Sequence, residues 1–223
     1  ANSLLMSGNV FINEKRVEKA GQQVKTDSKI EIKGKTYPWV SRGGIKLEKA
    51  ILEFKLNCDL IIALDIGAST GGFTDVLLAR GAKKIYAVDV GYGQLDWRLR
   101  QNERVIVKEK TNARFLTDQI IKDPLDAIVC DASFISLKKV LPSGLSLLKT
   151  KGWLAALIKP QFEVGKGLVG KGGVVRDPEL HQEVVADIKN WLQHDMNMYL
   201  SGVVESPILG PSGNKEFVIV ANK

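Results

Sequence analysis

Three charged residues stand at the ends of apolar runs that read as strands. Asp131 follows LDAIVC, Lys159 follows GWLAALI, and Glu216 precedes FVIVANK. A carboxylate, an amine and a second carboxylate brought to one sheet end are costly to bury as decoration, which points to proton handling or hydroxyl positioning. A purely structural ion-pair cluster is the competing explanation. A further strand ends Asp65-Ile66-Gly67-Ala68-Ser69-Thr70-Gly71-Gly72-Phe73. Glycines at that point let a backbone approach a ligand, and the following helix offers free N–H groups. The spacing is GxxxGG and not GxGxxG, which argues against a pyrophosphate fingerprint. Asp89, at the end of KKIYAVDV, is placed to take the hydroxyls of a ribose. Asn112, in TNAR, is equally suited to an adenine edge or to a turn. Glycine loop and acid together suit an adenosine ligand without a pyrophosphate, and S-adenosylmethionine fits that description.

The elements that must position these groups follow from periodicity. From residue 60 onward, continuous apolar runs alternate with helical patterns: LIIALDIG, GFTDVLLARG, KKIYAVDVG, QLDWRLRQN, VIVKEK, LDAIVCDAS, LKKVLPSGLSLLKT, GWLAALIKP and PELHQEVVADIKNWLQH. This predicts an α/β, Rossmann-like, mostly parallel sheet covered on both faces. YLSGVVESPI and EFVIVANK close it as a hairpin, with the last strand antiparallel. Ligands of such sheets sit outside the C-terminal ends of the strands. The first helix of the body begins near Gly43 or Gly44. At about 100° per residue, Leu47, Ala50, Ile51 and Phe54 share its apolar stripe, and Lys46 stands at the edge of that stripe.

Net charge is +7, and it is unevenly spread. Residues 1–55 hold eleven Lys/Arg against six Asp/Glu, whereas the remaining 168 are almost balanced. A basic segment of this kind attracts polyanions, although a solvated lysine face explains it equally well. Short alternating strands in residues 1–36, NVFINEKRV and SKIEIKGK, predict a small β-rich module. SLLMSGN reads as the end of a helix, which suggests a chain that starts inside a domain. Residues 37–40, YPWV, read as a linker. Two cysteines, Cys58 and Cys130, make no disulfide framework, and no secretory signal opens the chain. A cytoplasmic protein is expected. No apolar run approaches the roughly 20 residues that span a bilayer.

GASTGGFTD, VDVGYGQLDW, TNAR, DASFISL, LIKPQFE and GKGGVVRDP, in that order from about Ser41 onward, resemble the TlyA family. These are haemolysin-labelled proteins that act as ribosomal RNA 2′-O-methyltransferases with an FtsJ/RrmJ-like catalytic domain. GNVFINEKRV and SKIEI resemble an S4 RNA-binding domain. The resemblance divides the chain into a partial S4-like module (1–36), the linker (37–40) and the methyltransferase domain (41–223). It implies a catalytic set of Lys46, Asp131, Lys159 and Glu216. It implies S-adenosylmethionine held by Asp65, Gly67, Ala68, Ser69, Thr70, Gly71, Gly72, Phe73, Asp89, Val90, Asn112, Ala113 and Asp131. Related FtsJ enzymes often carry Asp where Asn112 stands. Lys15, Arg16, Lys19 and Arg42, with Lys166 and Lys171 of the Gly/Lys run at 164–173, are the expected RNA contacts. The partner is then ribosomal RNA or a ribosomal subunit, with no membrane and no metal, bound by a monomer or weak homodimer. A membrane-lytic protein, a non-catalytic RNA-binding module and a base-directed methyltransferase are the rival readings.

Overall fold

A computed structural model describes residues 10–17, 19, 21–32, 37–210 and 212–223, without the side chains of Ile32 and Lys166. The helix end expected at SLLMSGN lies outside the described residues. The chain divides into two compact units, Ala1–Pro38 and Trp39–Lys223.

The first unit carries β1 (Val10–Ile12), β2 (Lys15–Arg16) and β3 (Ile30–Ile32), paired antiparallel in the order β2-β1-β3. Asn13 and Glu14 join β1 to β2 at φ 46° and 68°. This left-handed pair gives the tight turn whose twist suits a hairpin. Asn13 Oδ1 also accepts from the Lys29 N–H at 3.0 Å, which ties the turn to the approach of β3. Lys15, Arg16 and Lys19 are exposed.

The second unit opens with Trp39, which is buried and donates its indole N–H to Glu48 Oε2 at 3.2 Å. The YPWV connection is therefore split: Trp39 and Val40 belong to the body, and Val40 N–H donates to Asp75 Oδ2 at 2.8 Å. The elements are α1 (Gly43–Phe54), β4 (Ile62–Ile66), α2 (Gly72–Ala79), β5 (Lys84–Val88), α3 (Trp97–Arg100) and β6 (Val105–Lys108). They continue with β7 (Leu125–Cys130), α4 (Leu137–Val140), α5 (Pro142–Ser146), β8 (Leu148–Ile158), α6 (Pro160–Glu163), α7 (Pro178–His194), β9 (Tyr199–Glu205) and β10 (Phe217–Asn222). Single 3₁₀ turns lie at Ala113–Phe115 and Lys166–Leu168.

The sheet order is β6-β5-β4-β7-β8-β10-β9. The pairs from β6 to β8 are parallel, and β10 runs antiparallel between β8 and β9. The parallel strands are buried on both faces, which is why they read as unbroken apolar runs. Phe217 pairs with Ile158, so the start of β10 lies beside the end of β8.

One expectation is corrected. LKKVLPSGLSLLKT is not a single helix: it forms α4, α5 and the first residues of β8. Pro142 has no N–H to continue α4 and sits instead at the start of α5, where that donor is not needed. Gly144 lets α5 lie against the sheet, because a Cβ there would meet Leu64 and Ile66 at 3.2 Å.

Candidate active site

The site grows from four backbone positions at one end of the sheet. Lys159 follows β8, Asp131 follows β7, Glu216 precedes β10, and Lys46 comes from the second turn of α1. Lys46 is on the buried face of α1 with Gly44, Leu47, Ala50 and Ile51, rather than at its margin. Phe54 is only half-buried and covers Gly202 of β9, where a Cβ would come within 2.7 Å of its ring.

The four side chains form one ionic chain. Glu216 Oε2 accepts from Lys46 Nζ at 2.7 Å, and Lys46 Nζ lies 3.6 Å from Asp131 Oδ2. The other Asp131 oxygen, Oδ1, is 2.7 Å from Lys159 Nζ, at an angle unlike that of a hydrogen bond. Lys159 Nζ donates to Ser133 Oγ at 2.8 Å and to the Asp131 carbonyl at 3.2 Å. Lys46, Lys159 and Glu216 are 5%, 7% and 1% exposed. Burial of these groups is tolerated because each amine stands beside a carboxylate and each carboxylate beside an amine. Glu216 Oε1 is buried without a hydrogen-bond partner, as is Asp131 Oδ1, which has its ion pair with Lys159.

The tetrad lines a cavity of about 460 Å³, bounded also by Arg42, Asp65, Thr70, Gly72 and Phe73. A second cavity, of about 500 Å³, is lined by Asp89, Val90, Asn112, Ala113 and Arg114. Gly67, Ser69, Asp131, Ser133 and Phe134 line both, so the two spaces meet beside Asp131. Gly67 has φ +77°, and a Cβ on it would come within 2.9 Å of Ala132 Cα. Only glycine passes the end of β7 this closely.

Asp89 organises the turn it faces. Its Oδ2 accepts from Ser69 N–H at 2.8 Å and its Oδ1 from Gly91 N–H at 2.7 Å. Each oxygen keeps a lone pair for a further donor. Asp65 is fully buried; Thr74 Oγ1 donates to its Oδ2 at 2.7 Å, while its Oδ1 has no partner. Burial, opposed by the Thr74 hydrogen bond and reinforced by the charges of Asp131 and Asp89, raises its pKa to about 7. Asn112 caps the 3₁₀ turn by accepting from Arg114 N–H at 3.1 Å, and it faces the second cavity as well.

The structure brings most of the expected residues together, with exceptions. Gly71 lines neither cavity: at φ +95° it starts α2, and a Cβ there would collide with Leu95 and Leu99. The close approach of Leu95 and Leu99 is what requires glycine there. Lys171 is exposed and, unlike Gly173 of the same loop, does not line the first cavity.

Phe134, Gln161 and Asn214 are among the cavity residues that escaped the sequence reading. Phe134 is 90% exposed, at φ +65°, with its ring 5.1 Å from that of Phe162. Gln161 carries a buried Oε1 without a hydrogen-bond partner. Asn214 is buried and accepts from Val175 N–H while donating to the Gly173 carbonyl, both at 2.9 Å. It thereby ties the Gly/Lys loop to the segment before Glu216. The signals for the last two lay in LIKPQFE and in SGNKE, beside the residues already chosen.

A family profile described as FtsJ-like methyltransferase matches residues 39–223. TlyA of Mycobacterium tuberculosis, named a 16S/23S rRNA (cytidine-2′-O)-methyltransferase, is 49% identical over 181 residues, which are 81% of this chain and 67% of TlyA. YqxC of Bacillus subtilis, which carries an rRNA methyltransferase name, is 45% identical over 220 residues, 98% of this chain and 78% of its own. A solved structure from Streptococcus thermophilus, described as a hemolysin, superposes with a TM-score of 0.83 at 40% identity and covers 98% of this chain and 80% of that one. With the sheet order, the glycine turn and the family match in agreement, the chain belongs to the FtsJ-like methyltransferases, in the TlyA group.

Proposed function

We propose that this chain transfers a methyl group from S-adenosylmethionine to a ribose 2′-hydroxyl of ribosomal RNA, in the cytoplasm. The observation that carries this reading is the Lys46–Glu216 and Lys159–Asp131 pairing in a cavity that adjoins a second one lined by Asp89 and Asn112.

The residues fit the cofactor. Asp89 offers two acceptor oxygens at the end of β5, and Ala113 and Val90 form apolar walls beside it. The partnerless Asp65 Oδ1 suits an ammonium group at the other end. When bound, S-adenosylmethionine supplies an electrophilic methyl on a sulfonium, so the transfer itself requires no metal. A ribose hydroxyl is a poor nucleophile, and its orientation dominates the rate. Lys159 Nζ is fixed by three oxygens of residues 131–133, which leaves it little freedom to swing away. It would orient the hydroxyl, whose proton would pass to the Lys159–Asp131 pair as the methyl moves from sulfur to oxygen, the C–S bond breaking to leave a neutral thioether as the C–O bond forms. Lys46 and Glu216 hold the other side of Asp131 and keep its carboxylate between the two amines. The exposed Phe134 ring, at the junction of the cavities, offers a face on which a base can stack.

Lys15, Arg16 and Lys19 of the first unit, which we assign as the S4-like RNA-docking module, supply sequence-independent phosphate contacts, as do Arg42, Lys166 and Lys171 of the second. Among the described residues no helix is long and apolar enough to cross a membrane.

The test is methyl transfer from labelled cofactor to separated small and large ribosomal subunits, followed by digestion to nucleosides. Label on a 2′-O-methylated nucleoside supports the reading. Label on a base overturns the mechanism, and dye release from liposomes without methyl transfer replaces it with a lytic function.

A further inference from the structure

The tetrad and the first unit leave one patch of the body unexplained. Tyr92, Trp97 and Phe115 are 72%, 71% and 64% exposed. None of the three lines either cavity, so neither cofactor nor target nucleotide accounts for them. They come from three segments on one frame beyond the ends of β5 and β6. Lys110 N–H donates to the Gly91 carbonyl at 3.0 Å, and Glu109 Oε1 accepts from Gly93 N–H at 2.9 Å and from Arg100 at 2.6 Å. Leu95 and Leu99 are buried against Gly71 on the α2 side of the sheet, and Ala113 and Leu116 join the core on its other side, so the rings stand on packed segments that flank the β6 edge.

Two of the three rings have a cation beside them. Lys110 Nζ is 4.6 Å from the centre of the Tyr92 ring, and the Arg114 guanidinium is 5.2 Å from that of Phe115. Arg98 and Arg100 follow Trp97 on α3. Among the described residues neither Lys110 nor Arg114 is drawn into an ion pair. Exposed rings interleaved with cations match a polyanion whose bases have open faces. An apolar protein partner would have to bury those cations unpaired, at a cost.

We infer that the surface of Tyr92, Trp97 and Phe115, with Lys110 and Arg114, is a stacking platform for an unpaired RNA strand, separate from the tetrad and from the first unit. This rests on the RNA reading above and adds where a flanking strand runs: past the cofactor side of the site, over the β6 edge of the sheet.

The experiment uses the full chain and a labelled 12-nucleotide single-stranded oligoribonucleotide, with a 12-base-pair RNA duplex as comparison. A Tyr92→Ala/Trp97→Ala/Phe115→Ala variant should bind the single strand at least about tenfold more weakly, in line with stacking losses. Its duplex affinity should change little, and its cofactor titration should match the wild type, which confirms the fold. Independently, Lys110→Gln should lower the slope of log affinity against log salt by about one. Wild-type single-strand affinity in the triple variant overturns the platform. So does a wild-type dimer that the triple variant converts to monomer in sedimentation, because the patch is then an interface between copies. Transfer to ribosomal subunits by the wild type tests the parent reading separately: its absence sinks that reading whatever the oligonucleotide shows.

Discussion

Lys46 shows how one side chain can serve both stability and chemistry. Its Nζ neutralises Glu216, which is almost wholly buried. Lys46→Ala therefore leaves a buried carboxylate unpaired, a loss of about 3–5 kcal/mol in comparable cases. We expect a lower Tm together with lost methyl transfer. A Lys46→Met/Glu216→Gln double variant removes both charges; it should recover most of the Tm and remain inactive. Recovered activity would make the pair structural only. Lys159→Ala is expected to reduce turnover by about 10²–10⁴, the range for a positioned proton acceptor, with cofactor affinity unchanged by calorimetry. Asp65 gives a pH signature. Its pKa is about 7 in the fold against 3.8 when solvated, so the native state holds the proton more tightly than the unfolded chain. Its contribution to stability is therefore complete below about pH 4 and is lost as pH rises towards 7. Asp65→Asn keeps an acceptor for Thr74 and removes this slope: relative to wild type, its Tm should rise from pH 5 to pH 8. A constant difference between the two proteins across that range refutes the assignment.

At the scale of elements, α1 and α2 meet through glycines. A Cβ on Gly72 would collide with Ser41 Oγ and come within 2.9 Å of Gly44 N, and one on Gly44 would enter the Trp39 ring. Gly72→Ala should thus displace α1, carrying Lys46 away from Asp131. We expect turnover to fall by more than tenfold while adenosine-side affinity, held by Asp89 and Asn112, falls less; equal losses in both would place the defect in the glycine turn instead. Much of this level was legible beforehand. The parallel strands announced themselves because burial on both faces leaves no polar alternation, and α7 because its apolar positions keep helical spacing. The convergence of Asp131, Lys159 and Glu216 followed from strand order alone. What stayed hidden depends on three dimensions. A helical pattern across LKKVLPSGLSLLKT did not reveal that Pro142 would divide it and that Leu148 would enter the sheet. Lys46 looked marginal because its angle on a wheel puts it at the edge of the apolar stripe, whereas pairing with Glu216 makes its burial tenable. Phe134 could not be told from a core residue, since exposure of a ring on a left-handed backbone leaves no periodic trace.

Over the whole molecule, positive charge is denser in the first unit: residues 1–38 hold seven Lys/Arg against four Asp/Glu, whereas residues 39–223, which carry the paired charges of the site, hold 25 against 21. Removing residues 1–38 should weaken binding to ribosomal subunits and flatten its salt dependence, while cofactor affinity and the Tm of the body stay as they were. Unchanged subunit affinity would leave RNA capture to the body alone. The order of strands across the sheet carries a further consequence. β10 lies between β8 and β9 but is made after both. During synthesis, β9 therefore emerges with no neighbour to pair with, and Glu216 reaches Lys46 only when β10 threads into the gap. The charge cluster is therefore completed by the last strand of the sheet to be made, and assembly of the site reports the closure of the whole sheet.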